Sequence, residues 1–172
     1  SLFLPETFTE TSWYGRGPFE TYWDRKSSGK IGIYQGNIQA QFHRYSRPQE
    51  TGNHTDLRWM AVSSDELTLR VHSTDQQLLN GSVWPFKTAE LDYVEGKDGG
   101  QSASGLVPVS SRHGAEIEFG PTVQWNIDHL QMGLGGDTSW GRPVHDEYTI
   151  PAATYSYTFV IVPHLTPKQF LP

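Results

Sequence analysis

Hydrophobic and polar residues alternate most cleanly over residues 67–72, where Leu67, Leu69 and Val71 fall on one side and Thr68, Arg70 and His72 on the other. A period of two marks a strand with one face in a core. Residues 123–128 (VQWNID) alternate in the same way. Weaker strand patterns cover 8–14, 57–62 and 83–93, the last interrupted at Pro85, which argues for an edge or a bulge. Residues 31–42 read as a strand or one short helical turn, and 19–25 (FETYWDR) as a partly buried irregular segment. Segments 106–111 and 115–119 suggest a hairpin, and 144–150 and 154–162 two closing strands joined at Pro151-Ala152-Ala153. Between them lie Gly15-Arg16-Gly17-Pro18, a turn by composition, and polar or Gly-rich connections at 26–30, 47–53 and 95–104.

No segment carries a convincing amphipathic helix, and there is no internal repeat. Short strands at intervals of roughly 8–12 residues, with turn signals between them, predict an all-β sandwich or barrel. At 172 residues the chain fits one domain with a sizeable core. The sandwich is expected over 1–162, followed by a Pro-rich tail over 163–172. The opening Ser1-Leu2-Phe3-Leu4-Pro5 reads as a strand cut in mid-course, so a piece of a longer protein is expected.

Composition narrows the chemistry. Six Trp, eight Tyr and eight Phe suit pleated packing surfaces and sugar-binding surfaces equally. A net charge of −6 gives a nucleic-acid role no electrostatic support. With no cysteine there is neither a thiolate metal site nor a cysteine nucleophile. The apolar runs fall short of a membrane-spanning helix. The seven histidines (His43, His54, His72, His113, His129, His145, His164) show no i,i+2 or i,i+4 pairing, so a metal site would have to assemble from distant strands. Glycoside hydrolysis needs two converging carboxyl groups. Among Glu20, Asp24, Glu50, Asp56, Asp128 and Asp137 no spacing singles out such a pair. Asp24 beside Arg25 and Asp56 near Arg58 read as loop residues that pair locally. Asn53-His54-Thr55 and Asn80-Gly81-Ser82 match glycosylation sequons, a pattern short enough to arise by chance.

Two stretches stand out. Met132-Gly133-Leu134-Gly135-Gly136-Asp137-Thr138-Ser139-Trp140 follows an apolar segment and packs glycines and small polar residues ahead of a tryptophan. Such a turn permits positive φ and close approach of another surface. Trp140 is either presented as a flat apolar plate with one N–H donor or folded back into the core. It is the residue with most functional content, with Asp137 and Ser139 as weaker companions. The second stretch, RPQETGNHTDLR, gathers Arg47, Glu50, His54, Asp56 and Arg58 next to Trp59. It is a polar cluster facing a ligand or neighbouring domain, or a long corner held by its own hydrogen bonds, and the latter is favoured.

Several of these motifs in fixed order carry a resemblance. They are Trp13-Tyr14-Gly15-Arg16-Gly17-Pro18-Phe19-Glu20 with Tyr22-Trp23-Asp24-Arg25, then Arg47-Pro48-Gln49-Glu50-Thr51-Gly52, Thr55-Asp56-Leu57-Arg58-Trp59, and Gln131 through Trp140. Together they resemble the C-terminal "small chain" domain of glycoside hydrolase family 2 β-galactosidases, from roughly Trp13 to Val162. The family more often has Asn where Thr51 stands, and 78–111 aligns poorly. The resemblance implies a β-supersandwich of the galactose-mutarotase-like kind, here without its opening strands. It implies that the catalytic glutamates and the Mg²⁺ and Na⁺ sites belong mainly to a central (β/α)₈ barrel and its neighbours, so that this chain carries no catalytic residue, metal or cofactor of its own. Trp140 would then lie beside the subsite for the leaving-group sugar or acceptor. The reaction would be hydrolysis of terminal β-D-galactosides by double displacement, with two carboxyl groups roughly 5 Å apart elsewhere in the enzyme. The implied partners are a β-galactoside, the other domains of the same enzyme and a possible second copy, with no nucleic acid or membrane. The isolated chain is expected to be inactive. Rival readings are a free-standing carbohydrate-binding module and a mutarotase-type aldose epimerase, the latter needing a His and a carboxylate in one cleft.

Overall fold

A computed structural model describes residues 1–92, 113–138 and 143–165, together with the backbone of 100–101 and 108–109. The described strands are β1 (Leu2–Pro5), β2 (Glu10–Gly17), β3 (Lys30–Asn37), β4 (His54–Leu57), β5 (Trp59–Ser63), β6 (Leu67–Ser73), β7 (Leu79–Trp84), β8 (Gly100–Gln101), β9 (Pro108–Val109), β10 (Thr122–Asp128) and β11 (Phe159–Leu165). They form a four-stranded sheet in the order β1-β10-β7-β4 and a five-stranded sheet in the order β11-β6-β5-β2-β3, with β8 and β9 paired on their own. All strand pairs are antiparallel. The helical content among the described residues is four 3₁₀ turns of three or four residues. The all-β sandwich expected from the alternation is what forms.

The two inner faces meet in one core. Trp13, Met60, Val62 and Val71 of the larger sheet pack against Leu57, Leu79, Val83, Val123, Trp125 and Ile127 of the smaller one. Each fully buried aliphatic or Met side chain there is worth roughly 1.5–3 kcal/mol relative to exposure. The indoles keep their donors satisfied: Trp13 Nε1 donates to Arg16 O at 2.9 Å and Trp125 Nε1 points at Met60 Sδ at 3.4 Å. On the reverse of the smaller sheet the polar residues Gln124 and Asn126 of VQWNID are also buried. Asn126 Nδ2 donates to Ser82 Oγ at 2.9 Å, and Gln124 Nε2 to Asn126 Oδ1 at 2.8 Å. A second cluster joins Phe42, Trp84, Phe86 and Ile117, with Trp84 Nε1 donating to Thr51 O at 2.7 Å.

Several expectations change. Gly15 and Gly17 do not turn the chain, because β2 runs through both. A Cβ on Gly15 would lie 2.7 Å from Leu57 Cδ2, and one on Gly17 would lie 2.7 Å from the Tyr34 ring, so these glycines make room for neighbours inside the strand. Residues 31–42 hold both alternatives: β3, then a 3₁₀ turn at Ile38–Gln41 capped by the Asn37 side chain. The strand expected over 57–62 is divided between β4, which ends at Leu57, and β5, which begins at Trp59 in the other sheet, so the chain crosses at Arg58. Asp56, with φ +57°, lies within β4 where its pairing with β7 shifts register. Strand β7 ends at Trp84, where Pro85 removes a donor, and a 3₁₀ turn follows at Thr88–Leu91. Among the described residues no hairpin joins 106–111 to 115–119: β9 pairs with β8, and Gly114–Glu116 is a 3₁₀ turn capped by His113. The expected strand 144–150 contains a 3₁₀ turn at Asp146–Tyr148 instead. The last strand begins at Phe159 and continues past Val162, pairing Pro163, His164 and Leu165 with Leu69, Thr68 and Leu67. Most of the loop expected at 95–104 lies outside the described residues.

Candidate functional site

Residues 20–25 form a small, firmly anchored corner. Tyr22 N donates to Arg25 O at 3.1 Å and Arg25 N to Tyr22 O at 2.9 Å, which leaves Trp23 and Asp24 at the tip of a two-residue turn. The base is locked from beneath. Thr21 and Tyr22 are fully buried. Thr21 N donates to Asn53 O at 2.7 Å, and Asn53 Nδ2 returns a bond to Thr21 O at 2.8 Å. Thr55 N donates to Thr21 Oγ1 at 3.0 Å. Beside this base the Glu20 carboxylate collects the Gly52 N–H at 2.7 Å, the Tyr22 hydroxyl at 3.1 Å, the Arg25 guanidinium and the Tyr45 hydroxyl. Burial works to raise its pKa, but these hydrogen bonds outweigh burial and hold it below the usual carboxylate range.

The glycine turn comes to rest on this tip. Gly135 N donates to Asp24 Oδ2 at 2.6 Å, and Gly133 N donates to Tyr148 O at 2.9 Å. A Cβ on Gly133 would lie 2.7 Å from Asp24 Cγ and 2.9 Å from Tyr148 Cβ. Of the two uses open to these glycines, the fold takes close approach: neither Gly133 nor Gly135 has a positive φ. The Trp23 and Tyr148 rings meet edge to face at 6.3 Å on the same flank. Asp24 therefore does not pair with Arg25 as expected. Arg25 turns back to Glu20, and Asp24 reaches a segment 111 positions away.

Asp137 stays at the surface and meets His145 Nε2 at 2.7 Å. That bond raises the His145 pKa above the ordinary histidine value. It also brings the chain leaving the turn at 137 back beside itself at 145. Ser139 and Trp140 lie between these two positions, outside the described residues. Alongside, a cleft of about 210 Å³ is walled by Trp23, Lys26, Asp56, Asn80, His129 and Gln131.

The polar stretch 47–58 does not converge on one point. His54 is sealed in the core, stacked on Trp13 at 3.9 Å between centroids, with Nε2 facing Gln41 Oε1 at 3.3 Å. Burial pushes its pKa down to about 4, so the ring is neutral. Asp56 binds Arg16 and, at 3.2 Å, Lys26. Arg58 Nη1 donates to the Asp56 carbonyl at 2.7 Å, and its guanidinium lies over the Tyr14 ring. Asp56 thus does not take the Arg58 side chain as its ion-pair partner. Glu50 is half-buried. Burial and the nearby Asp128 carboxylate push its pKa up to about 7, and burial raises Asp128 as well. Arg47 has partners of its own. This is a corner held by its own bonds. Both sequon asparagines are engaged within the protein too, Asn80 Nδ2 donating to His129 O at 3.1 Å. Among the described residues no group of three or more His, Asp or Glu side chains is placed to hold a metal ion. The Asp24–Gly135 contact and the Glu20 network were not read from the sequence, although FETYWDR, aromatic and charged at once, was the signal for them.

Comparison with known proteins identifies the family of the chain. Residues 1–161 match the family described as the beta galactosidase small chain. Among curated relatives, the beta-galactosidase of Priestia megaterium is 32% identical over 158 residues, covering 91% of this chain and 13% of the relative. That of Lactobacillus delbrueckii subsp. bulgaricus is 33% identical over 152 residues, with 88% and 13% covered. That of Streptococcus thermophilus is 29% identical over 157 residues, with 91% and 14% covered. This chain spans only about an eighth of the length of these relatives. On its match over 1–161, and with an all-β sandwich carrying the glycine turn, the chain belongs to the β-galactosidase small chain family.

Proposed function

We propose that this chain is the part of a retaining β-galactosidase that completes the aglycone side of the substrate pocket, with Trp140 as its contacting residue. The observation that carries the reading is the seating of the glycine turn: Gly135 is tied to Asp24, and Asp137 to His145, on either side of a segment leading to and from Trp140. A turn held at both ends on the surface is suited to offering a side chain to another body. A pyranose has one face of C–H groups, and an indole covering it gains apolar contact without demanding a fixed hydroxyl pattern. Such a plate holds varied leaving-group sugars while the carboxylates of other domains act on the bond. The polar cleft bounded by Trp23 and Asn80 adds a lining suited to a hydroxylated ligand beside it. The contribution is positioning, worth about 1–3 kcal/mol, and the bond-breaking chemistry lies outside this chain.

The test uses the full-length enzyme. Trp140→Ala is expected to lower kcat/KM for lactose roughly ten- to a hundredfold, and to lower it much less for an activated aryl galactoside, whose departure needs little help from a bound acceptor. Equal losses on the two substrates would reject the reading.

A further inference from the structure

We propose that Asp24 is a positioning residue: it sets the glycine turn, and through it the approach of Trp140 to the sugar. The inference rests on the aglycone reading of Trp140. Three observations carry it. The Asp24 carboxylate accepts the Gly135 N–H at 2.6 Å across a separation of 111 residues. It occupies the space that Gly133 leaves open, where a Cβ would come within 2.7 Å of Cγ and 2.8 Å of Oδ2. Its other oxygen, Oδ1, is buried with no hydrogen-bond partner among the described residues. A buried carboxylate oxygen without a donor is costly to the fold. An aspartate kept at that cost serves the turn it holds better than it serves stability.

The tip that bears Asp24 is well suited to the task. Tyr22 and Arg25 close a two-residue turn over a base in which Thr21, Asn53 and Thr55 bond one another and Glu20 gathers four donors. The base belongs to the sandwich and the tip touches the turn, so a rigid element fixes a segment that lacks strand pairing of its own. The co-occurrence of YWDR and MGLGG in one chain follows: the first supplies the carboxylate and the second the backbone that can approach it.

The experiment compares Asp24→Ala, Asp24→Asn and Gly133→Ala with Trp140→Ala in the full-length enzyme, reading the ratio of kcat/KM for lactose to that for an activated aryl galactoside. Asp24→Ala and Gly133→Ala are expected to lower this ratio about five- to tenfold. Asp24→Asn keeps an acceptor for Gly135 and should restore most of it. The double variant Asp24→Ala/Trp140→Ala should lower the ratio no further than Trp140→Ala alone, because one residue acts through the other. A ratio unchanged by Asp24→Ala while Trp140→Ala lowers it would overturn the positioning role and leave the aglycone reading standing. Additive effects in the double variant would overturn it too. A ratio that Trp140→Ala itself does not move would remove both.

Discussion

Asp56 lies in β4, two residues before the chain crosses from the smaller sheet to the larger one at Arg58, and replacing it tests what holds that corner. Its backbone is left-handed, with φ +57°, and its carboxylate binds Arg16 and Lys26 with side-chain exposures of 18%, 26% and 33% respectively. The guanidinium contact, half-buried, is worth about 1.5 kcal/mol, the low end for a charge-assisted bond, and the more exposed lysine about 0.5 kcal/mol. An alanine at that φ adds about 1–2 kcal/mol that glycine avoids. Asp56→Ala should therefore cost about 3–4 kcal/mol and Asp56→Gly about 2 kcal/mol. Asp56→Asn, which tolerates the backbone and keeps one acceptor, should cost about 1 kcal/mol. Urea unfolding followed by tryptophan fluorescence reads these costs. With a slope of about 2 kcal/mol/M, a 3 kcal/mol loss moves the midpoint by about 1.5 M. Burial tends to raise the Asp56 pKa, but Arg16 and Lys26 prevail and hold it below the usual aspartate range. Its contribution is therefore complete above the ordinary aspartate pKa and lost as pH falls through the depressed one, so wild type and Asp56→Asn should converge in acid. Equal losses for Ala and Gly, or a loss under about 1 kcal/mol for Ala, would refute the reasoning.

Glu50, raised by burial and Asp128 to about 7, contributes stability that is lost as pH rises from about 5 to 8, because the folded state holds that proton more tightly than the unfolded one. The buried neutral His54 contributes in the opposite sense below about pH 6.5. Glu50→Gln should flatten the profile by about 2 kcal/mol, and a pH dependence equal to that of wild type would contradict the assignment. For His145, hydrogen-bonded to Asp137, the imidazole proton resonances should titrate with a midpoint above that of an ordinary histidine, with the contact weakening as pH rises through it. Asp137→Asn should bring the midpoint down, and an unmoved midpoint would dispose of the pair.

The layers of this fold were legible wherever one face of a strand meets the core. Leu67, Leu69 and Val71, like Val123, Trp125 and Ile127, announce their strands because period-two burial is a local property of sequence. The misreadings arose where distant contacts decide. Gly15 and Gly17 look like a turn in isolation, yet they accommodate Leu57 and Tyr34 in mid-strand. Nothing in HTDLRWMAV announces that the chain passes from one sheet to the other at Arg58, since both halves alternate acceptably. The expected strand over 144–150 has a β-rich composition, but Tyr148 is used to receive Gly133, and that segment curls at Asp146–Tyr148.

The site was legible in parts and not as a whole. The density of glycine at 133–136 marked a place of close approach, and the unusual mixture in FETYWDR marked a second irregular segment. That the two meet through Asp24 and Gly135 depends on where β2 and β10 emerge from different sheets, which no local pattern encodes. The stretch 47–58, read in preference as a corner held by its own hydrogen bonds, has that form. Its charges are dense in sequence, but alternation and the crossover send His54 into the core, Asp56 toward Arg16 and Arg58 over Tyr14.

The central claim concerns what Trp140 faces in the complete enzyme, and a crystal structure of that enzyme holding an uncleaved galactosyl disaccharide addresses it most directly. The account predicts the indole lying flat against the non-galactosyl ring, with carbon–carbon separations of about 4 Å. An indole turned inward between the two sheets, or a leaving-group sugar touched by no residue of this chain, would contradict it.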